Sequence, residues 1–526
     1  MGSYRKVAPG ENASNSLVQK IFTGLAGGPG GGVFHDVQGW ERADGWRASD
    51  VIMKRFILIS VSAVFSAGAM ANWTWTPGFL AQESYNDNLT LVDEGDKVTD
   101  FITELTPSLA INQRSRTLDL TLDYRMQNLV YAKESQYNKT YSQFRGNATA
   151  NLVRDFFFID AAASYGQQNI SNAGTITLNN ATISRNRTNA TVASVRPYIE
   201  YRLGRSADVY LAAERGIVRY SAAEIEGSER NSYEARLSSG RAFQRLLWRL
   251  VYLKQDISSA NQVNTLLQEY NGELEYRLTP RLSLLATSGY DDNQYDRAGI
   301  VTNPRGSKWT AGFSWIATRH TSVVASVGKR YFGNTRALTI SNRARRTELS
   351  LSYDESVTVL ATTLFAANEP APAPAEGDTG DAAVPPPLST EVDPSLPSVG
   401  NAAYVRKRLT GNFSLYGRQS LLALTVYDES RLYESTGREE LIKGGSASYN
   451  WNISSRSRFI VSVTGQYSDL ADRGKNKFVR ASAEIERRIN TNLVSSFSLS
   501  HNTQAFSLGV LNYDQNIAYA RIVWEL

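Results

Sequence analysis

The stretch 117–131 reads Thr117-Leu118-Asp119-Leu120-Thr121-Leu122-Asp123-Tyr124-Arg125-Met126-Gln127-Asn128-Leu129-Val130-Tyr131. Leu118, Leu120, Leu122, Tyr124, Met126 and Val130 alternate with Thr117, Asp119, Thr121, Asp123, Arg125 and Gln127. That is a strand with one greasy and one charged face. The same dyad returns at 267–278, where Tyr270, Leu274, Tyr276 and Leu278 oppose Glu269, Asn271, Glu273, Glu275 and Arg277. At 478–488, Val479, Ala481, Ala483 and Ile485 oppose Arg480, Ser482, Glu484, Glu486 and Arg488. The chain closes on it too, with Ala518, Ala520, Ile522, Trp524 and Leu526 against Tyr519, Arg521, Val523 and Glu525.

Alternation alone does not choose between a soluble sandwich and a membrane barrel; the connections do. Short turns (112–116, 154–155, 204–206, 279–281, 319–321, 417–420, 454–457, 490–492) alternate with longer polar loops (86–97, 134–140, 169–186, 221–230, 258–266, 291–306, 333–343, 367–402, 434–440, 470–476, 505–512). Short turns at one rim and long loops at the other describe an outer-membrane barrel, and an even strand number brings both termini to the periplasmic side. The expected fold is therefore all-β, a transmembrane antiparallel up-and-down β-barrel of about 22 strands, within roughly 16 to 24. Residues 368–399, with Pro370, Pro372, Pro374, Pro385, Pro386, Pro387, Pro394 and Pro397, cannot join a ladder and read as a mobile external loop.

Upstream of the barrel, Met53-Lys54-Arg55, the apolar run Phe56 to Phe65 and Ala69-Met70-Ala71 follow the order of a secretory signal peptide. The domain reading is a signal peptide at 53–71 and a barrel at 72–526. The Gly-rich segment 1–52 has no n-region of its own, which makes Met53 the expected initiator and 1–52 a mis-assigned upstream extension.

Composition excludes several functions. The 526 residues contain no Cys and three His, so thiolate metal sites, disulfides and CxxCH haem attachment are absent. The net charge of +5 is dispersed without a dense Lys/Arg block, leaving no electrostatic footprint for nucleic acid. No GxSxG elbow, Walker loop or HExxH occurs, and His35, His320 and His501 are far apart. Carboxylate pairs such as Asp119/Asp123 and Glu273/Glu275 recur through the dyad itself and read as lumenal wall before glycosidase chemistry. The oxygen-rich loop 85–96 lacks the spacing of a calcium loop, and its Asn, Asp and Gly are also ordinary turn residues. No enzyme, cofactor or metal is expected. The residues expected to line the lumen are Asp119, Asp123, Arg125, Arg249, Glu269, Glu273, Glu275, Arg277, Arg480, Glu484 and Glu486, a mixed-sign wall suited to a hydrated, weakly selective pore. Aromatics near strand ends, namely Trp73, Trp75, Tyr131, Tyr141, Trp248, Trp309, Trp451 and Trp524, are expected in membrane-interface girdles.

Several segments carry a resemblance: Trp75-Thr76-Pro77, Tyr85-Asn86-Asp87-Asn88-Leu89, Asp100-Phe101-Ile102-Thr103-Glu104-Leu105-Thr106-Pro107, and Asp123 through Tyr131. In these the chain resembles the PEP-CTERM system-associated outer-membrane barrel proteins found beside exopolysaccharide and exosortase gene clusters. The resemblance implies an outer-membrane location and a part in secreting or anchoring surface polysaccharide and sorted proteins. It brings no catalytic residues. One departure is the ending Trp524-Glu525-Leu526, where barrel-assembly signals usually finish on an aromatic residue. The implied partners are outer-membrane lipid, the barrel-assembly machinery, and extracellular polysaccharide or its export machinery. Two functions follow as expectations: passage or export of exopolysaccharide or small solutes, or a structural, adhesive barrel with a blocked lumen whose long loops bind matrix.

Overall fold

The computed structural model describes residues 73–525 except 94, 260–263, 298–299, 303, 369–397, 399–401 and 508–510. The signal peptide, the upstream extension and most of the Pro-rich loop therefore lie outside the described residues.

The chain runs as β1 (Trp73–Asn86), β2 (Asp100–Arg114), β3 (Leu118–Tyr131), β4 (Lys139–Val153), β5 (Phe157–Asn169), β6 (Arg187–Leu203), β7 (Ala207–Tyr220) and β8 (Ser228–Ser239). It continues as β9 (Leu246–Ser259), β10 (Thr265–Thr279), β11 (Leu282–Asp292), a small hairpin β12 (Tyr295–Arg297) and β13 (Ile300–Thr302), then β14 (Arg305–Thr318), β15 (Thr321–Arg330), β16 (Gly333–Arg343) and β17 (Thr347–Thr358). A helix α1 (Leu360–Asn368) precedes β18 (Tyr404–Tyr416), β19 (Ser420–Tyr433), β20 (Glu439–Asn452), β21 (Ser457–Asp469), β22 (Lys475–Arg488), β23 (Leu493–Phe506) and β24 (Tyr513–Glu525). Outside the hairpin, 22 strands form one sheet in which each pairs antiparallel with its sequence neighbours. The sheet closes where β1 meets β24, with Phe79 opposite Trp524 and Ser84 opposite Tyr519. Closure joins the first strand to the last from Gly78 to Asn86, so over most of the wall the backbone groups are paired between strands without water.

Direction follows from register. Gln127, Asn86 and Gln515 hydrogen-bond to loops held within the barrel, so every position sharing their face points inward. Through the pairing of β1 with β2, β2 with β3 and onward, the inward set stays polar and the outward set apolar. Outward Val426, Leu250, Leu499 and Ile522 are 60%, 53%, 52% and 50% exposed. A continuous apolar outside around a polar inside inverts a soluble protein and is the condition of a barrel in lipid.

Two readings of the sequence are corrected. Residues 333–343, read as a loop, form β16; the actual turn is only Tyr331-Phe332. Arg336, Leu338 and Ile340 alternate there with Thr335, Ala337, Thr339 and Ser341, a dyad whose inward members are too small to stand out from loop composition. Tyr131 and Tyr141 are not girdle residues: both lie on the inward face, Tyr131 is 4% exposed, and both pack against Leu89 and Leu129.

Candidate functional site

The lumen has two unlike halves. Towards the short-turn rim it is open among the described residues, and most inward positions there are partly or fully exposed, with Ser283 and Ser496 among the buried exceptions. All eleven charged residues singled out for the lumen occupy the inward face. Arg249 meets Glu273 at 3.2 Å, Arg277 meets Glu275 at 3.3 Å, and Arg458 meets Glu486 at 2.7 Å. Arg521 meets Glu484 at 2.6 Å, with the Tyr519 hydroxyl donating to the same carboxylate at 3.1 Å. Asp119 lies 3.6 Å from Arg114, whereas at the long-loop ends of their strands Glu269 joins Lys308 beside the buried Asp291–Arg330 pair (3.1 Å). Opposite charges hold one another within a strand (Glu275 and Arg277), between adjacent strands (Arg249 and Glu273, Arg458 and Glu486) and across an intervening strand (Glu484 and Arg521), leaving a wall of mixed sign. Around β20 to β23 the inward wall changes character: Ser448, Ser462, Ser482 and Ser500 run level across four paired strands, with Ser462 and Ser482 hydroxyls 2.7 Å apart.

Towards the long-loop rim the lumen is filled by the chain itself, through three contributions. The loop after β1 and the loop after β5 enter first. Leu89 packs with Ile102, Leu129 and Tyr131, while Leu91, Ile176 and Leu178 pack with Phe478 and Tyr513. Side-chain amides tie these loops to the wall. Gln515 donates to Asn86 Oδ1 (3.0 Å), the Asn88 carbonyl (2.9 Å) and Thr182 Oγ1 (3.1 Å). Asn180 donates to Gln127 (2.6 Å), Asn476 to the Asn172 carbonyl (3.1 Å), and Gln504 accepts from the Ile176 N–H (2.9 Å). The hydroxyls of Tyr513 and Tyr131 donate to the Ile176 and Ala181 carbonyls at 2.7 and 2.9 Å.

The helix α1 is the second contribution. It leaves β17 and reaches β5 and β6, nearly half the circumference away, so it bars the lumen. Its sequence, Leu360-Ala361-Thr362-Thr363-Leu364-Phe365-Ala366-Ala367-Asn368, is apolar on several sides. Phe365 is 0% exposed and sits among inward Val192, Val218 and Ile257, an apolar seat in an otherwise polar wall. Gly216 makes the seat possible, since a Cβ there would stand 2.5 Å from the Phe365 ring. The Arg230 guanidinium, paired with Glu214, covers the ring at 4.2 Å. Asn368 donates to the Val192 carbonyl at 3.3 Å, and Thr362 Oγ1 is buried without a hydrogen-bond partner.

The β12–β13 hairpin is the third. Tyr295 joins the α1 cluster and its hydroxyl lies 3.0 Å from that of Tyr331. Burial pushes the Tyr331 phenol up to about 12, so it keeps its proton near neutral pH.

On the outside, Trp73, Trp75, Trp248, Trp451 and Trp524 stand at the short-turn end, joined by Trp315, which sequence reasoning passed over; Trp309 stands towards the other end. His501 faces outward beside Asn516, and no group of three or more His, Asp or Glu able to hold a metal occurs among the described residues. The lumen-filling residues were also missed. Their signal was apolar residues with no lipid to face, such as Leu89, Leu91, Ile176 and Leu178, embedded in polar loops.

No known protein family and no curated protein matches the chain. Solved structures do resemble it. The siderophore receptor PirA from Acinetobacter baumannii is 7% identical at TM-score 0.47, covering 86% of this chain and 80% of that one. A mutant of the ferric enterobactin receptor from Pseudomonas aeruginosa, in complex with enterobactin, is 10% identical at 0.46, covering 86% and 81%. The FrpB iron transporter from Neisseria meningitidis is 10% identical at 0.44, covering 86% and 82%.

Proposed function

We propose that this protein is a gated outer-membrane conduit for hydrophilic solutes, with α1 as the movable part of its closure. One observation carries the reading. Among the described residues, a mixed-charge lumen is open at the short-turn side and filled at the other by the chain's own loops, one of them carrying a helix that rests on an apolar seat. Barrels of about this strand number have lumens wide enough to need a plug. A wall of paired charges with one level row of serine hydroxyls offers hydrogen bonds to a polyol without a strong field to trap it, which suits sugars or a glycan chain. The resemblance to barrels of exopolysaccharide loci points to the same class of cargo.

The test is planar-bilayer conductance together with liposome swelling in sugars, comparing the intact protein with a variant in which 360–403 is replaced by a short Gly/Ser turn. The expected result is rare or small openings in the intact protein and stable large channels with sugar permeation in the variant. A variant as silent as the parent would remove the gate. The amide-tied loops after β1 and β5 favour a second reading, a structural surface barrel with a permanently blocked lumen. That reading predicts silence in both proteins and loss of surface-matrix attachment, not of secreted polysaccharide, when the gene is deleted.

A further inference from the structure

The outside of the long-loop rim is electrically lopsided. Between β15 and β22 it carries Lys329, Arg336, Lys407, Lys443, Lys475 and Lys477, all exposed, all outward, and all within a few residues of the long-loop ends of their strands. Lys443 pairs with Asp428 at 3.2 Å and Lys475 with Asp469 at 3.4 Å, and the outward Glu439 accepts the Ser430 hydroxyl at 2.7 Å, so cations still outnumber acids on the arc. The other four form no ion pair with any described residue, although Lys407 stands across from Glu355, whose carboxylate already accepts the Tyr353 hydroxyl. From β23 round to β6 the strands present no outward Lys or Arg at that level except Arg187, whose guanidinium is turned onto the Asn179 carbonyl. Their outward charges there are Glu83 and Asp514, the latter paired with Lys97 of the loop after β1 at 2.7 Å. On β7, Arg215 and Arg219 are both held by Glu229, at 2.8 and 2.6 Å.

We infer that the β15–β22 arc is a docking surface for a phosphate-bearing lipid headgroup of the outer leaflet. The register supplies the second half of the argument. On the same face, two residues further into the bilayer, Lys329 is followed by Val327, Arg336 by Leu338, Lys407 by Leu409 and Lys477 by Val479. Two strand residues span about 7 Å, so each cation stands one headgroup depth above an apolar side chain. A free phosphate would be matched by the cations alone. A lipid is matched by both levels, and the apolar level is continuous with the belt that already contacts acyl chains. Lysine and arginine at an interface each add an increment of attraction to anionic headgroups, and the increments sum over an arc.

The experiment uses the intact barrel in neutral detergent. Retention of a bis-phosphorylated, acylated glucosamine disaccharide is compared with that of the same lipid stripped of phosphate, by native mass spectrometry. The expected preference for the phosphorylated lipid is at least about tenfold, falling to near unity when Lys329→Gln, Arg336→Gln, Lys407→Gln and Lys477→Gln are combined. The pair Arg215→Gln and Arg219→Gln should leave it intact. Heat-modifiable migration reports that each variant is folded, and the single Lys407→Gln, expected to weaken the preference about two- to fivefold, covers failure of the fourfold change. Equal retention of the two lipids by the parent, an undiminished preference in the folded fourfold variant, or full displacement by inorganic phosphate would each overturn the surface. Conductance is read in parallel and should not change, which separates this inference from the gate.

Discussion

The loops after β1 and β5 and the helix α1 close the same mouth of the same barrel by opposite chemistry. The loops are held by many directed bonds: wall residues Gln515, Asn476, Gln504, Tyr131 and Tyr513 reach a loop backbone or side chain and loop Asn180 reaches Gln127, and although Asn180 Oδ1 and Asn476 Oδ1 stay unpartnered, releasing so many buried bonds at once is expensive. The helix is held mainly by apolar contact in one seat, with Asn368 donating to the Val192 carbonyl at 3.3 Å and Thr362 Oγ1 buried and unpartnered. An unmet hydroxyl of this kind costs about 1–3 kcal/mol, which water repays when the helix leaves. A closure that must stay and a closure that must move would be built in these two ways.

Experiments that break the comparison rank by expected size. Deleting α1 should change conductance most, as set out above. Next comes Phe365→Ala, which empties the seat between Val192, Val218 and Ile257. Truncating a buried Phe costs about 3–5 kcal/mol, enough to turn a closed helix into a frequently open one, seen as bursts of channel opening with the barrel still heat-modifiable. Gly216→Ala should act from the other side by pushing the ring outward, at about 1–3 kcal/mol, with a smaller rise in open probability.

The contrast is sharpened by Gln515→Ala, which removes bonds to Asn86, Asn88 and Thr182. About 2–3 kcal/mol of local stability should be lost, visible as faster amide exchange in 87–99, yet conductance should stay low because Leu89 and Leu91 still pack. A conductance jump equal to that of Phe365→Ala would erase the distinction between the two closures. The smallest effect is expected for Glu273→Gln in the open half. Its partner Arg249 is exposed, so stability should move by less than about 1 kcal/mol and only ion selectivity should drift towards anions.

Much of the wall was readable in the chain. The dyad around Asp123 and Arg125 assigns those side chains to one face and Leu122 and Tyr124 to the other whatever the neighbours do, because side-chain direction in a strand is local. The same dyad put Tyr131 beside Gln127, yet its aromatic chemistry suggested the girdle; the phase of the alternation was the better guide. β16 was hidden because Thr335, Ala337, Thr339 and Ser341 carry too little contrast to be told from a loop.

By itself the sequence determined an antiparallel membrane barrel of about 22 strands, with the charged residues of its clearest dyads pointing one way and its strand tryptophans the other. Only the tertiary structure decided what occupies the interior. Whether Leu89, Ile176 or Phe365 turns into the lumen depends on partners such as Leu129, Tyr513 and Gly216 that lie far along the chain, and no local period records a contact made across a closed ring of strands.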